Sequence, residues 1–346
     1  MIVTGDVAIA SADLFKFVGF DGFKNKPLII NLEGAVITDD CVPPSWGTYN
    51  SKNFLNSFLD FNLKGAFLGN NHIKDVRGGI NNTQKYLSNH GVDFFGAGRD
   101  SEESARGISV VNGDSHFRLI GFGWSVIGCI PATKDSEGVN PFNTENVLRL
   151  VSVELERFKD AKIIVVIHAN YEFEEHPQPG HRSLARQLID LGVYSVLFHH
   201  PHVVSSVEIY KNKVIAYSLG NWCFSYGKFF GERLKFPSSS FHQIAVEYDG
   251  DDCIVHHAKF NPPSTINFEV SESVYSKEFS LKSEFEGFSD KEYLNWFAKN
   301  RKKKAALPIY RTANLSYSNM ARDRWVFVRQ ILVDCLAKFG LKKMRR

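Results

Sequence analysis

Three histidines fall within four positions of the stretch LFHHPHVV, residues 197–204. They are His199, His200 and His202, in a chain with 12 histidines among 346 residues. Imidazole is an acid or base near neutral pH and a frequent metal ligand, so the cluster could relay protons or bind an ion. Residues i and i+2 of an extended strand share a face, which predicts that His200 and His202 point together and His199 points away.

Further potential ligands stand at or just past the ends of apolar runs that predict β-strands. They are Asp6, Glu33, Asn70, Asn71, His72 and His168, with Glu172 four residues after the last. Each residue alone has a simpler explanation as a cap, turn or core residue. In α/β sheets, however, the carboxyl ends of several strands converge on one edge, where sites assemble. Oxygen and imidazole ligands without thiolates suit zinc, manganese or iron.

Strands and helices must bring these residues together. Apolar runs alternate with helical patterns near 51–60, 80–90, 144–160 and 181–191, which predicts parallel βαβ units in the first half. From residue 203 to 260, strands follow one another through short turns, which indicates antiparallel pairing. The sequence therefore predicts a mixed-sheet α/β domain with two sheets and outer helices.

The composition excludes several classes of protein. With 43% hydrophobic and 23% charged residues, the chain is typical of a globular protein rather than a disordered one. No apolar run approaches the roughly 20 residues that span a bilayer. The five cysteines are scattered and form no CxxC pair, which argues against a disulfide framework and favours a cytoplasmic location.

The pattern changes after residue 262, so we expect one domain over 1–262 and a helical, basic extension over 263–346. Helices are predicted over 283–300 and 318–340. Between Lys299 and Arg346, 14 Lys and Arg face two acids, while the preceding residues carry a net charge of about −9. No nucleic-acid-binding motif accompanies this charge.

The last predicted helix has two interpretations. Its apolar residues recur at amphipathic spacing, at Trp325, Val328, Leu332, Leu336 and Phe339. It could pack on the domain and present a solvated basic face. Alternatively, it could make a peripheral contact with anionic lipid, on the inner face of the membrane.

The order of the short motifs resembles a known family. Gly5-Asp6, NLE at 31–33, NNH at 70–72, H-x-x-x-E at 168–172, HPHV at 200–203 and YSLGN at 217–221 occur in this order. Over roughly residues 1–226, the chain is similar to the CapA-like proteins, the capsule and poly-γ-glutamate biosynthesis branch of the calcineurin-like metallophosphoesterases. The resemblance implies a two-sheet α/β/β/α sandwich, followed here by the helical extension.

The resemblance also implies a role for each matching residue, with two divalent metal ions. Asp6 would bind one ion, Glu33 would bridge both, and Asn71 and His168 would bind the second. His200 and His202 would each complete one of the two sites. The remaining roles are catalytic for His72 and Glu172, and substrate-binding for Asn70, Asn221 and His181.

These roles predict a dinuclear metal-dependent hydrolase, specifically a phosphoesterase, acting on an anionic or glycan-type substrate in the synthesis of a bacterial capsule, surface polysaccharide or poly-γ-glutamate. Arg182 and Arg186 could meet such a substrate, or could lie on a solvated helix face. The wider superfamily usually has histidine where this chain has Ala8, so one metal site lacks a ligand. A non-catalytic component that assembles or binds polymer is the alternative, and hydrolysis of an amide or ester on the same site is a third.

Overall fold

The computed structural model describes residues 1–10, 14–38, 42–302 and 307–338. The strands are β1 (Ile2–Ala8), β2 (Lys16–Val18), β3 (Pro27–Leu32), β4 (Ala35–Ile37), β5 (Tyr49–Ser51), β6 (Asn62–Phe67), β7 (Asp93–Phe95), β8 (Ala97–Gly98), β9 (Ile108–Asn112), β10 (Ser115–Gly123), β11 (Gly138–Val139), β12 (Lys162–His168), β13 (Ser195–His199), β14 (Val207–Tyr210), β15 (Lys213–Ala216), β16 (Asn221–Phe224), β17 (His242–Asp249), β18 (Asp252–Asn261) and β19 (Thr265–Ser273). The α-helices are α1 (Gly79–Asn89), α2 (Ser101–Ser104), α3 (Thr144–Arg157), α4 (Pro179–Leu191), α5 (Asp290–Asn300) and α6 (Tyr317–Lys338).

Two sheets organise the described residues. The larger has the order β2-β19-β18-β17-β1-β3-β6-β7, and β16 also pairs with β1. Its strands β1, β3, β6 and β7 run parallel, whereas β17, β18 and β19 are antiparallel. The smaller has the order β14-β15-β13-β12-β10-β9, with a parallel centre. The predicted mixture of parallel βαβ units and antiparallel strands is confirmed.

The two sheets pack face to face and helices cover their outer faces. Side chains between the sheets form one apolar cluster, which includes Val3 and Ile29 from the larger sheet and Leu119 and Val166 from the smaller. Helix α1 contributes to the cluster outside the larger sheet, and α3 and α4 contribute to the one outside the smaller. The predicted α/β/β/α sandwich is therefore confirmed.

Local sequence signals set the helix ends. The Asn143 side chain accepts a hydrogen bond from Asn146 N and caps α3. Helix α4 begins at a proline and ends at Gly192, which adopts φ = +111°. A reciprocal pair of hydrogen bonds between Ser289 and Glu292 caps α5. The helix predicted near 51–60 is only a 3-10 turn over Phe54–Phe58, because too few residues follow before β6 begins.

The residues beyond 262 join both the sheet and the core. Strand β19, which was not predicted, pairs with β18 in the larger sheet. Helix α5 is shorter than the predicted 283–300. The side chains of Phe285, Tyr293, Phe297, Tyr310 and Val326 are buried in the cluster outside the smaller sheet.

The apolar stripe predicted for the last helix does not face the protein. Val326 and Asn319 form the buried side of α6, whereas Trp325, Val328 and Leu332 are exposed. Phe339 and Gly340 lie outside the described residues. In the part of the chain that the structure describes, none of the helices combines the length and apolar character that crossing a membrane requires.

Arg182 and Arg186 correct another expectation, because they form neither a substrate contact nor a solvated face. The Arg182 guanidinium is completely buried and donates from Nη2 to Glu208 Oε1 at 2.9 Å and from Nε to Glu208 Oε2 at 3.2 Å. It also donates to the carbonyl oxygens of Phe285 and Phe288. Arg186 binds the same carboxylate. This network ties the segment before α5 to the smaller sheet.

Candidate metal centre

The predicted ligands meet where parallel strands of both sheets end. Asp6 lies in β1, and Glu33 follows β3 in the larger sheet. His168 ends β12, while His200 and His202 follow β13 in the smaller sheet. All five side chains are buried. The convergence of strand ends that the sequence predicted therefore takes place across the sandwich.

Asp6, Glu33 and His202 form the tightest group. One potential ligand atom from each side chain lies within 4.8 Å of the others. His202 Nε2 is 3.7 Å from Glu33 Oε1, and His202 Nδ1 is 3.3 Å from Asp6 Oδ2. Within the described residues, neither buried oxygen of Glu33 accepts a hydrogen bond. A buried carboxylate with no donor is costly, so this donor set fits a bound cation.

The electrostatics of the group also fit a cation. Burial raises the pKa of Glu33 to about 7. Burial disfavours the charged form of Asp6 too, but hydrogen bonds from His199 and His202 hold its pKa well below the usual range. Burial opposes charge on His202, yet Glu33 and Asp6 outweigh it and raise the pKa of His202 to about 9. A cation could take the place of the proton on this imidazole.

A second group lies beside the first. His168 Nε2 is 2.8 Å from Asn71 Oδ1, and the rings of His168 and His200 are 5.0 Å apart. Adjacent ligands of one ion, with bonds of about 2.1 Å, lie about 3 Å apart, so the first spacing suits shared coordination. Burial, helped by His200, holds the pKa of His168 well below its ordinary value, which keeps the ring in its neutral, metal-binding form.

The conformation predicted for HHPH was wrong. Strand β13 ends at His199, and the backbone then turns with φ = 97° at His200 and 58° at His202. The two rings still lie 5.7 Å apart, but a left-handed turn places them there, not a shared strand face. His200 N donates to Asp6 Oδ2 at 3.3 Å, and Phe173 N donates to the Pro201 carbonyl at 2.8 Å. These contacts hold the turn.

A cavity of about 620 Å³ opens above the two groups. Asn71, His72, Glu172 and His200 line it on the side of the sheets, and part of α6 lines the opposite wall. Asn71, His72, Glu172 and His200 thus form the cavity floor, and Asp6, Glu33, His168 and His202 are buried next to them without lining the cavity.

His72 stands at the edge of this floor in a defined orientation. Its Nδ1 is 2.6 Å from Asp75 Oδ2, which places a proton on Nδ1. Its Nε2 is 3.8 Å from Glu33 Oε1. Asp75 Oδ2 also accepts a hydrogen bond from Thr48 N at 2.9 Å, so the carboxylate is itself fixed. The arrangement can hold or donate a proton beside the metal ligands.

The three predicted substrate-binding residues have other surroundings. Asn70 is buried, its Nδ2 donates to the Leu32 carbonyl, and its Oδ1 accepts from Gly34 N and His72 N. It therefore joins the segment after β3 to the segment after β6. Asn221 Oδ1 is 2.9 Å from His202 Nδ1 and orients that ring. His181 lies in the apolar core against Trp124, Phe142 and Phe198 and does not line the cavity.

Three residues support the candidate ligands, and of these the sequence had assigned no role to Asn31. Asn31 Nδ2 donates to Asp6 Oδ1 at 2.7 Å and lies 3.2 Å from His168 Nδ1, which links the two groups. His199, expected to point away, has its Nδ1 2.9 Å from Asp6 Oδ1. Asp75 supports His72. The spacing NNHIKD contained a signal for Asp75, but only the assembled sheets reveal the contacts of Asn31 and His199.

Comparison with known proteins agrees with this assembly of motifs. The family model described as bacterial capsule synthesis protein PGA_cap matches residues 24–226, more than half of the chain. The chain belongs to this family. Outside the match lie Asp6 and β17, β18 and β19, together with α5 and α6, so the capsule synthesis family model covers most of the candidate ligands but not the wall formed by α6.

Two curated relatives carry related names. The capsule biosynthesis protein CapA of Bacillus anthracis is 30% identical over 164 residues, which are 46% of this chain and 40% of the relative. The PGA biosynthesis protein CapA of Bacillus subtilis is 33% identical over 172 residues, which are 49% of this chain and 44% of the relative. The matched region spans less than half the length of these capsule synthesis relatives.

Solved structures are more distant. A 5'-nucleotidase precursor from Thermus thermophilus aligns over 86% of this chain and 58% of that chain, with 13% sequence identity and a TM-score of 0.39. A similarity of this size supports no functional comparison, so the chemistry must be argued from the side chains of this capsule synthesis family member.

Proposed function

We propose that this chain is a metal-dependent phosphoesterase that acts on an anionic or glycan-type substrate in the synthesis of a capsule or of polyglutamate. The buried Asp6–Glu33–His202 group carries the proposal, because its ligand atoms converge next to His72 and His200, which line a cavity, and Glu33 has no hydrogen-bond donor among the described residues. The names of the Bacillus relatives support the pathway.

The donor set suits two hard or borderline divalent ions such as manganese, zinc or iron. Asp6, Glu33 and His202 would hold one ion, and Asn71, His168 and His200 would hold a second. Bound there, such ions would act as Lewis acids toward a phosphoryl group and lower the pKa of a water molecule.

The chain's own residues would orient the reaction. Asn31 and His199 fix the Asp6 carboxylate, and Asn221 fixes the ring of His202. The Asp75 carboxylate holds the proton on His72 Nδ1, so a proton on Nε2 can be given to a departing oxygen. Glu172 lines the same cavity and could orient a ligand or contact the substrate.

The opposite wall of the cavity suits an anionic substrate. Arg324 and Arg329 of α6 line the cavity together with Asp323 of the same helix, so this wall carries a net positive charge. Positive charge there would attract a polyanion and would balance negative charges of the substrate that lie away from the candidate metal ligands. Because this wall lies outside the matched family region, the substrate preference of this chain can differ from that of its relatives.

Metal content and hydrolysis test this function together. The purified chain should bind manganese or zinc and cleave a generic aryl phosphate. Glu33→Gln should retain the fold, since it removes a buried charge at almost constant volume, but should bind less metal and lose turnover. His116→Ala is the control, because His116 is exposed and far from the ligands in sequence.

The outcomes separate the candidate functions. Equal metal content and equal turnover in wild type and Glu33→Gln would contradict the proposed site. Binding of an anionic polymer that survives Glu33→Gln, with no hydrolysis by the wild type, would favour the non-catalytic alternative.

A further inference from the structure

Helix α6 presents its apolar side to the solvent. Its exposed large apolar side chains are Tyr317, Met320, Trp325, Phe327, Val328, Ile331, Leu332 and Leu336. At 100° per residue, these positions spread over the side opposite Val326, which is buried against the domain. An exposed apolar surface of this extent on a globular domain marks an interaction site.

Positive charge accompanies this outward face. Arg322, Arg324 and Arg329 lie on the same helix, and the sequence from Lys299 to Arg346 carries 14 Lys and Arg against two acids. The residues before Lys299 have a net charge of about −9, so the positive charge is concentrated in the part of the sequence that contains α6. Exposed apolar side chains in a segment with an excess of basic residues can bind the interface of an anionic membrane.

We propose that the outward face of α6 docks on an anionic lipid surface. Apolar side chains enter the boundary between headgroups and acyl chains, and the surrounding basic residues bind the lipid headgroups. The positive charge favours an anionic lipid surface over a second copy of the chain, because pairing two such faces would bring two positively charged segments together.

The docking surface adjoins the cavity. Phe327 and Ile331, at one edge of the exposed apolar face, line the cavity together with Val326, Arg329 and Gln330, whereas Val328 and Leu332 do not line it. Docking would therefore place the cavity beside the headgroup layer, where a membrane-associated anionic substrate could reach it. The docking itself does not depend on the proposed hydrolysis, so either can fail without the other.

Vesicle co-sedimentation of the full chain tests the proposal. Wild type should sediment with vesicles of phosphatidylglycerol and phosphatidylcholine, bind at least tenfold less to pure phosphatidylcholine, and dissociate as salt increases. The double variant Val328→Ser/Leu332→Ser, at sites that are 51% and 59% exposed, should bind at least fivefold less.

A matched control uses the same substitutions elsewhere. Leu59 and Val111 are 78% and 57% exposed on other parts of the chain, so Leu59→Ser/Val111→Ser should bind vesicles as wild type does. Equal loss in both double variants would overturn the assignment to α6. Absence of wild-type binding at low salt would overturn the proposal, and concentration-dependent dimers lost in Val328→Ser/Leu332→Ser would assign the face to a second copy instead.

Discussion

The buried ion-pair network of Arg182 and Glu208 should dominate the stability of the contact between the smaller sheet and the C-terminal segment. We consider Arg182→Met, which keeps an unbranched side chain but removes the guanidinium. That guanidinium donates to both Glu208 oxygens and to the carbonyl oxygens of Phe285 and Phe288. It also lies 4.7 Å from the centre of the Tyr293 ring.

The expected cost follows from what remains buried. Removing one partner of a buried ion pair costs about 3–5 kcal/mol, because the other charge is left in a medium of low dielectric constant. Glu208 keeps Arg186 and the Tyr217 hydroxyl, which limits the loss. The Phe285 carbonyl loses the donor that Arg182 gave it, which adds to the cost. We therefore expect the free energy of unfolding to fall by about 3 kcal/mol.

Urea unfolding followed by tryptophan fluorescence at pH 7 measures this change. The double variant Arg182→Met/Glu208→Gln should be at least about 1 kcal/mol more stable than the sum of the single effects predicts, because residue 208 then carries no buried charge that lacks Arg182, while Arg186 loses its carboxylate equally in Glu208→Gln and in the double variant. Arg106→Met is the matched control. Arg106 forms an exposed pair with Glu102, at 2.8 Å, and its loss should cost less than about 0.5 kcal/mol. A decrease of less than about 1 kcal/mol in the free energy of unfolding of Arg182→Met would refute the reasoning. Strict additivity of the two single effects in the double variant would refute it as well.

Three further predictions follow from single side chains. Burial lowers the pKa of His181 to about 3, whereas an unfolded chain takes up this proton near pH 6.5, so stability is lost as the pH falls between these values. At pH 5 the loss of unfolding free energy from His181 amounts to about 2 kcal/mol. In urea unfolding, His181→Phe should lose that much less stability between pH 7 and pH 5 than the wild type does. An unchanged pH dependence would contradict the prediction. Asp75→Asn should lower phosphoesterase turnover about 10- to 100-fold with metal content retained, because the N–H at His72 Nδ1 then lacks a charged acceptor. Unchanged turnover in a kinetic assay would exclude a role of Asp75 in positioning His72. A Cβ on Gly5 would lie 2.2 Å from a backbone carbonyl oxygen of the neighbouring segment, so Gly5→Ala should destabilise the chain by about 2 kcal/mol or more in thermal unfolding, while Gly22→Ala, which meets open space, should not.

The sequence predicted two sheets with outer helices and singled out the residues of the candidate metal centre because both depend on local patterns. Apolar runs such as PLIINL are buried on both faces and form central strands, and polar residues at their ends have few packing roles. Helix periodicity predicted α6 correctly but left two interpretations open, since spacing shows that a helix has an apolar side but not which way that side faces. Val326 is buried whereas its apolar neighbours are exposed, so α6 packs on the domain with the side opposite its apolar stripe.

The HHPH turn shows why correct residues can come with a wrong conformation. Strand geometry predicted that His200 and His202 share a face, yet both adopt positive φ, which costs about 1–3 kcal/mol per residue. Contacts distant in sequence offset this cost, because Asp6 accepts from His200 N and from the ring of His199, almost 200 positions away. If the Asp6 carboxylate holds the turn, removing it should displace both imidazoles as well as one candidate ligand. The candidate ligands and the backbone contacts that hold them therefore depend on each other, which the HHPH segment alone could not reveal.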